Sequence, residues 1–195
     1  PGDTELEIIV GAVLTQNTAW KNVEKAIKNM KAEGLLDIEK LHKTKTEKLA
    51  EIIRPVGYYN IKSKRLMTLI DVIYNKYNAS IDSLKQYDTY ELRRVLLEIN
   101  GIGPETADSI LLYALNKPVF VVDAYTKRFL KNHHLYDGDG DYHEIQEFFM
   151  RHLPAETYLY NEYHALIVYL CQQYCKKNPT CKGCPLEEEK NLFKM

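Results

Sequence analysis

The chain of 195 residues carries 26 basic and 27 acidic side chains, a formal net charge of −1, and is 45% hydrophobic, ordinary for a globular protein of one domain or two small lobes. No run approaches eighteen uninterrupted apolar residues, so none reads as a membrane-spanning helix, and the first residues do not read as a secretory signal. A chain so close to neutral cannot hold nucleic acid through its overall field. Any such contact must come from a local basic patch.

In chain order, Leu6, Ile9, Val10, Val13 and Leu14 mark a first helical stripe. Trp20, Val23, Ile27 and Met30 mark a second, ending at Gly34, and Leu49, Ile52 and Ile53 mark a short helix stopped by Pro55. Ile61, Leu66, Leu69, Ile70, Ile73 and Tyr77 predict a long helix. Leu92, Val95, Leu96 and Ile99 lead into a turn at residues 100–103, after which Ala107, Ile110, Leu111 and Ala114 resume the helical period. Val119 to Val122 is the only β-like run and is short enough to be an extended connector. Asp123 reads as the N-cap of a helix to about Leu130, and two further helices fit 141–152 and 156–175, with Pro154 between them. The Gly-Asp run at 137–141 reads as an exposed loop. The pattern predicts an all-α protein. Most of the fifteen tyrosines fall on helical stripes or their edges and read as amphipathic core.

Three features carry chemistry. The turn Asn100-Gly101-Ile102-Gly103-Pro104 opens directly into a helix. Glycine allows positive φ and close backbone approach, proline suits the first helical position, and a helix start favours an anion. Ile102 would plug the turn into the core. The turn is either a phosphate holder or an ordinary helical corner. Asp123, after its apolar run, either caps its helix only or also serves as a catalytic carboxylate, and both uses are compatible. Finally, all four cysteines lie together as Cys171-x3-Cys175-x5-Cys181-x2-Cys184. That clustering favours metal ligation over a spread disulfide framework and implies a reducing compartment. Cys171 sits one turn before Cys175 on the same helix face. Arg54, Lys62, Lys64 and Arg65 around Tyr58, and Lys127, Arg128 and Lys131 after Asp123, are either phosphate contacts or solvated helix faces.

LLEINGIGPETADSILLYA followed by VFVVDAYTKRF resembles the helix-hairpin-helix DNA glycosylase superfamily, and within it the endonuclease III-related branch. Leu14-Thr15-Gln16-Asn17-Thr18 and the segment from Gly57 to Lys64 match further family segments in the family's order, so the likeness spans essentially the whole chain. It implies an all-α, two-lobed fold. Residues 1–117 would form a helical lobe containing the hairpin, and 118–195 a second lobe with the catalytic aspartate and a cysteine-rich metal loop. It also implies a monomeric enzyme of a reducing, cytoplasmic compartment that hydrolyses the N-glycosidic bond of a damaged base flipped out of double-stranded DNA.

By the same resemblance Asp123 is the catalytic aspartate. Gly101, Gly103, Thr106 and Lys62 contact DNA, and Gln16 and Tyr58 stand where family members insert side chains into the gap. Trp20, four residues after Gln16, would project on the same side if the helix has already begun. It is either a wall of the base pocket or a core tryptophan. Bifunctional members carry a Schiff-base lysine where this chain has Glu105, so the resemblance implies a monofunctional enzyme. GAVLTQNT together with Glu105, also placed at the base pocket, looks like the 3-methyladenine-specific members. A glycosylase for mismatched thymine or uracil or for oxidised bases, and a non-catalytic DNA-structure binder, are the alternatives. The family's [4Fe–4S] spacing is Cys-x6-Cys-x2-Cys-x5-Cys. Here Cys175, Cys181 and Cys184 match its first three ligands with one residue missing, the fourth position falls near Lys190, and Cys171 is available in its place. A structural [4Fe–4S] cluster is expected, with zinc as the rival and loss of metal as a third possibility.

Overall fold

The computed structural model describes residues 2–136 and 140–188. Among them there is no strand, and no helix is long and apolar enough to cross a membrane. The chain divides into two compact units, the first from Pro1 to Lys117 and the second starting at Pro118. The run at 137–141 lies mostly outside the described residues.

In the first unit, α1 (Glu5–Leu14) starts at Thr4, whose hydroxyl accepts from the Glu7 amide at 3.2 Å, and buries Leu6, Ile9, Val10, Val13 and Leu14. α2 (Trp20–Ala32) buries Val23, Ala26, Ile27 and Met30 against it. Then come α3 (Ile38–Lys43), α4 (Thr46–Ile52) and a 3₁₀ turn at Arg54–Val56. α5 (Tyr59–Lys76) packs on α1, α3 and α4. α6 (Ile81–Lys85) and α7 (Thr89–Leu97) follow, each entered through a side-chain cap, at Ser80 and Asp88. α8 (Pro104–Ser109) runs on into a π-helical segment, Ile110–Ala114, that packs on α1.

The sequence pattern misses α3 and α6. Each is under two turns and buries only one or two side chains, Ile38 with Leu41 and Leu84, too few to display a helical period. The tyrosines need correction as well. Tyr77 and Tyr160 are buried, but Tyr58, Tyr90, Tyr158 and Tyr169 are exposed.

The second unit opens with Val119 to Val122, all buried. The run stays an extended connector because side chains take its backbone groups. Gln146 Nε2 donates to the Phe120 carbonyl at 2.6 Å, and the Val122 amide donates to the Tyr142 hydroxyl at 3.4 Å. α9 (Ala124–Asn132), α10 (Tyr142–His152) and α11 (Thr157–Gln173) follow. α10 begins with a capping box between Asp141 and Glu144. The Phe120 ring stacks on Phe149 at 4.1 Å and meets the edge of Tyr160 at 5.6 Å.

One ion pair joins the helices on either side of the hairpin. Asp108 on α8 is fully buried and accepts from Arg93 on α7 twice, Nε to Oδ1 at 2.7 Å and Nη2 to Oδ2 at 3.0 Å. Removing only the cation leaves a buried carboxylate without its counter-charge. Arg93→Met should therefore cost about 3–5 kcal/mol of stability. Urea unfolding should also show much of that loss recovered when Asp108→Leu is added.

Candidate active site and DNA-binding loops

The hairpin forms as the sequence pattern predicts. Gly101 adopts φ +87°, Ile102 is buried with its amide bonded to the Ile99 carbonyl at 3.0 Å, and extended Gly103 caps α8 with Pro104 at its first position. Gly101 is also where another side chain passes closest. A Cβ there would lie 2.2 Å from Arg65 Nε and 2.5 Å from its Cδ. The Arg65 stem thus occupies the room that a side chain at 101 would need.

Gln16 fastens this arrangement. Its Nε2 donates to the Gly101 carbonyl and to Thr106 Oγ1, each at 3.0 Å, while its Oε1 accepts from Arg65 Nη1 at 2.6 Å. The amide expected in the DNA gap is therefore bonded to the hairpin. Thr106, expected to contact DNA, is buried with its hydroxyl turned to Gln16. Gln16 also lies in the turn between α1 and α2, so it shares no helix face with Trp20, the first residue of α2. Trp20 lies against Gly11, is 37% exposed, and donates Nε1–H to Glu24 at 3.0 Å. It is therefore not a sealed core residue.

The second loop carries Tyr58. Gly57, at φ +64° and ψ 163°, holds a conformation nearly confined to glycine, and Tyr58 itself sits left-handed at φ 45°. The residue is 74% exposed. A strained backbone that presents a bare aromatic ring suits a wedge.

Lys62 requires a correction. Expected as a phosphate contact, it is buried at 2% exposure, its Nζ donating to Leu14 O at 2.8 Å, Val56 O at 3.1 Å and the Thr18 hydroxyl. Its charge is spent inside the first unit. Arg128 is likewise committed, donating to the Cys175 carbonyl at 2.8 Å and the Cys171 carbonyl at 3.3 Å near the end of α11. Lys64 and Glu105 are exposed.

Asp123 caps α9 in the second unit. Its Oδ1 accepts from the Thr126 amide at 2.7 Å and the Thr126 hydroxyl at 3.0 Å, and its Oδ2 lies 3.5 Å from His164 Nε2 on α11. Both side chains of the pair are nearly buried, at 13% and 14% exposure. Burial alone pushes the carboxyl up, but the His164 imidazole and then the Thr126 donors outweigh it and hold it below its ordinary value. The group is a fixed carboxylate at neutral pH, able to face developing positive charge or orient a water. His164 went unnoticed in the sequence because it lies forty-one residues from Asp123 and belongs to no local pattern.

Cys171 and Cys175 are buried side by side, yet not on one helical face, because α11 ends at Gln173. Cys171 approaches the Tyr125 carbonyl at 3.5 Å, and Cys175 Sγ accepts from Asn132 Nδ2 at 3.2 Å. Burial and the adjacent Cys175 push the Cys171 thiol up to about 12, against the pull of Arg128. Cys181 and Cys184, both half-buried, form a tight turn, the Cys184 amide donating to the Cys181 carbonyl at 3.0 Å. Four thiols are the donors a thiophilic metal takes. Among the described residues, however, they form a pair and a turn, and no three His, Cys, Asp or Glu side chains converge as a metal-binding group. Lys190 lies outside the described residues.

The glycine hairpin and the capped aspartate after an apolar connector are the segments on which the sequence resembles a known family. The chain belongs to the HhH-GPD superfamily of base excision DNA repair proteins, whose model it matches over residues 10–155. It is 49% identical over 189 residues to a protein of Methanocaldococcus jannaschii provisionally named a DNA repair glycosylase, covering 96% of this chain and 86% of that one. It is 27% identical over 189 residues to endonuclease III of Thermotoga maritima, covering 96% and 83%. The crystal structure of the H. pylori 3-methyladenine DNA glycosylase MagIII, bound to 1,N6-ethenoadenine, is similar at a TM-score of 0.76 and 35% identity, over 86% of this chain and 84% of that one.

Two outcomes follow. Gly101→Ala should lose about 1–3 kcal/mol from backbone strain alone and more from its clash with Arg65. Thermal unfolding should show Arg65→Ala relieving only the clash. For Asp123, a folded pKa below the unfolded one contributes stability that is full above the unfolded value and lost as pH falls through the folded value. His164→Gln removes part of what lowers it. The carboxyl titration followed by NMR should move to higher pH, and acid unfolding should begin at higher pH.

Proposed function

We propose that this chain is a monofunctional DNA glycosylase that releases an alkylated purine, such as 3-methyladenine, from double-stranded DNA. The observation that carries the reading is Asp123, a nearly buried carboxylate fixed by two Thr126 donors on Oδ1 and held ionised with the His164 imidazole beside Oδ2. Cleavage of a glycosidic bond passes through a sugar cation, and a preset anion beside it lowers that barrier. The C1′–N bond breaks with its electrons leaving on the base, and the oxygen of water forms the new bond to C1′. The water proton passes to solvent, and the free base and an abasic site remain. A 3-alkylated adenine carries positive charge and departs as a neutral base, so no strong acid is required of the protein.

Three further observations support this reading. Glu105 stands at the position of the hairpin lysine and cannot form an imine, which supports hydrolysis without strand cleavage. The exposed Tyr58 supports wedge-assisted extrusion of the base. The similarity to a 3-methyladenine DNA glycosylase solved bound to 1,N6-ethenoadenine supports the substrate class. The four cysteines are proposed to hold a structural [4Fe–4S] cluster, with zinc as the alternative. The donor set and the Asn132 contact to Cys175 support this, and metal analysis with visible absorption of the purified protein tests it.

Asp123→Asn should lower release of 3-methyladenine by about 10²–10³-fold or more while leaving affinity for lesion DNA within a few-fold. The same assay run on a panel of alkylated, oxidised and mismatched duplexes should show release confined to alkylated purines and no nicking before alkali. Nicking without alkali would overturn the monofunctional reading, and release of thymine or an oxidised base would overturn the substrate class.

A further inference from the structure

We propose that Lys62 is a positioning residue whose buried ammonium ties the Thr15–Ala19 turn to the Arg54–Tyr58 turn, setting the two segments that present Gln16 and Tyr58. Its importance for DNA rests on the function proposed above, whereas the tie itself does not. Lysine normally carries its charge to solvent on a flexible stem, and Lys64, two residues on, is exposed. Lys62 does the opposite. Its three N–H donors meet three oxygens, Leu14 O at 2.8 Å, Val56 O at 3.1 Å and Thr18 Oγ1.

The acceptors explain the arrangement. Leu14 is the last residue of α1 and Val56 the last of the 3₁₀ turn, so both carbonyls lie at helix ends that favour a cation. One ammonium serves both ends. Thr18 closes the set, accepting from Lys62 while its own hydroxyl donates to Val56 O at 2.7 Å. Just beyond each helix end the backbone enters the left-handed region, at Asn17 (φ 50°) and at Gly57 and Tyr58 (φ 64° and 45°). Such conformations persist where the surroundings impose them. Three residues along α5, Arg65 reaches Gln16 and the underside of Gly101. The start of α5 therefore holds all three segments proposed to read DNA.

The clamp has a pH limit. Burial first, and then the Arg65 guanidinium, bring the Lys62 ammonium down to about 8. Arg65, on its own helix, is the charged group facing it. At the ammonium itself, the α1–α2 turn presents the Leu14 carbonyl and the Thr18 hydroxyl, and the 54–58 turn the Val56 carbonyl. A neutral amine keeps two hydrogens for three acceptors, so one tie is lost above that pH. Because the folded value lies below that of free lysine, deprotonation between the two values favours the folded chain overall. The loss is therefore local to the turns.

The test uses the whole protein with Lys62→Met, which keeps the stem and loses the donors, and Thr18→Val, which removes one contact and spares the lysine. Amide hydrogen exchange, corrected for intrinsic rates, should quicken about tenfold or more in both turns of Lys62→Met and less in Thr18→Val, with α10 and α11 unchanged. Affinity for a duplex carrying a stable abasic-site analogue should fall in wild type as pH rises from 7 to 9. In Lys62→Met it should be weaker and flat across that range. Unchanged exchange in both variants, or a wild-type pH profile in Lys62→Met, overturns the proposal. So does exchange that quickens with no change in DNA affinity. If Lys62→Met does not fold, Thr18→Val decides through the same two readouts. A wild-type chain that binds this duplex yet releases no base from any duplex of the lesion panel overturns the proposed function and leaves the exchange result to judge the clamp.

Discussion

Backbone carbonyls left open at helix ends, in the hairpin and in the connector are the constraint on which this structure depends. With no strand among the described residues to absorb them, each must find a donor elsewhere. Long polar side chains from distant positions supply it. Gln16 takes the Gly101 carbonyl, and Lys62 takes those of Leu14 and Val56. Arg128 takes those of Cys171 and Cys175, and Gln146 takes that of Phe120. These bonds are also the chain's long-range ties, so helix termination and tertiary structure are satisfied by the same atoms.

That economy explains which parts of the molecule were legible in its sequence. The long helices, the hairpin and the Asp123 cap depend on neighbours within a few residues, and local period and cap chemistry reveal them. Gln16, Lys62 and Arg128 carry polar groups that a sequence places at the surface by default. Their inward use depends on carbonyls up to 85 positions away, and no local pattern encodes that. His164 escapes for the same reason.

The chain's near neutrality has a counterpart here. Several cations that could serve a DNA-binding field are consumed internally, Lys62 and Arg65 in the first unit and Arg128 in the second. The function proposed above accordingly rests on shaped contacts more than on charge: backbone groups at the hairpin, an exposed Tyr58, and one carboxylate in a fixed setting.

The wide turn after α8 fits one more residue into a revolution than an ordinary helix would. The Leu115 amide reaches back to Ile110 and the Lys117 amide to Leu111. Lys117 then points its ammonium at the Lys85 and Tyr87 carbonyls, 3.1 and 2.7 Å away. Because the wide turn absorbs its surplus residue within one revolution, the helix keeps its phase on either side of it. The extra residue acts locally instead: it lengthens the amide-to-carbonyl span and leaves the chain to exit through Lys117, whose ammonium is held by the two carbonyls.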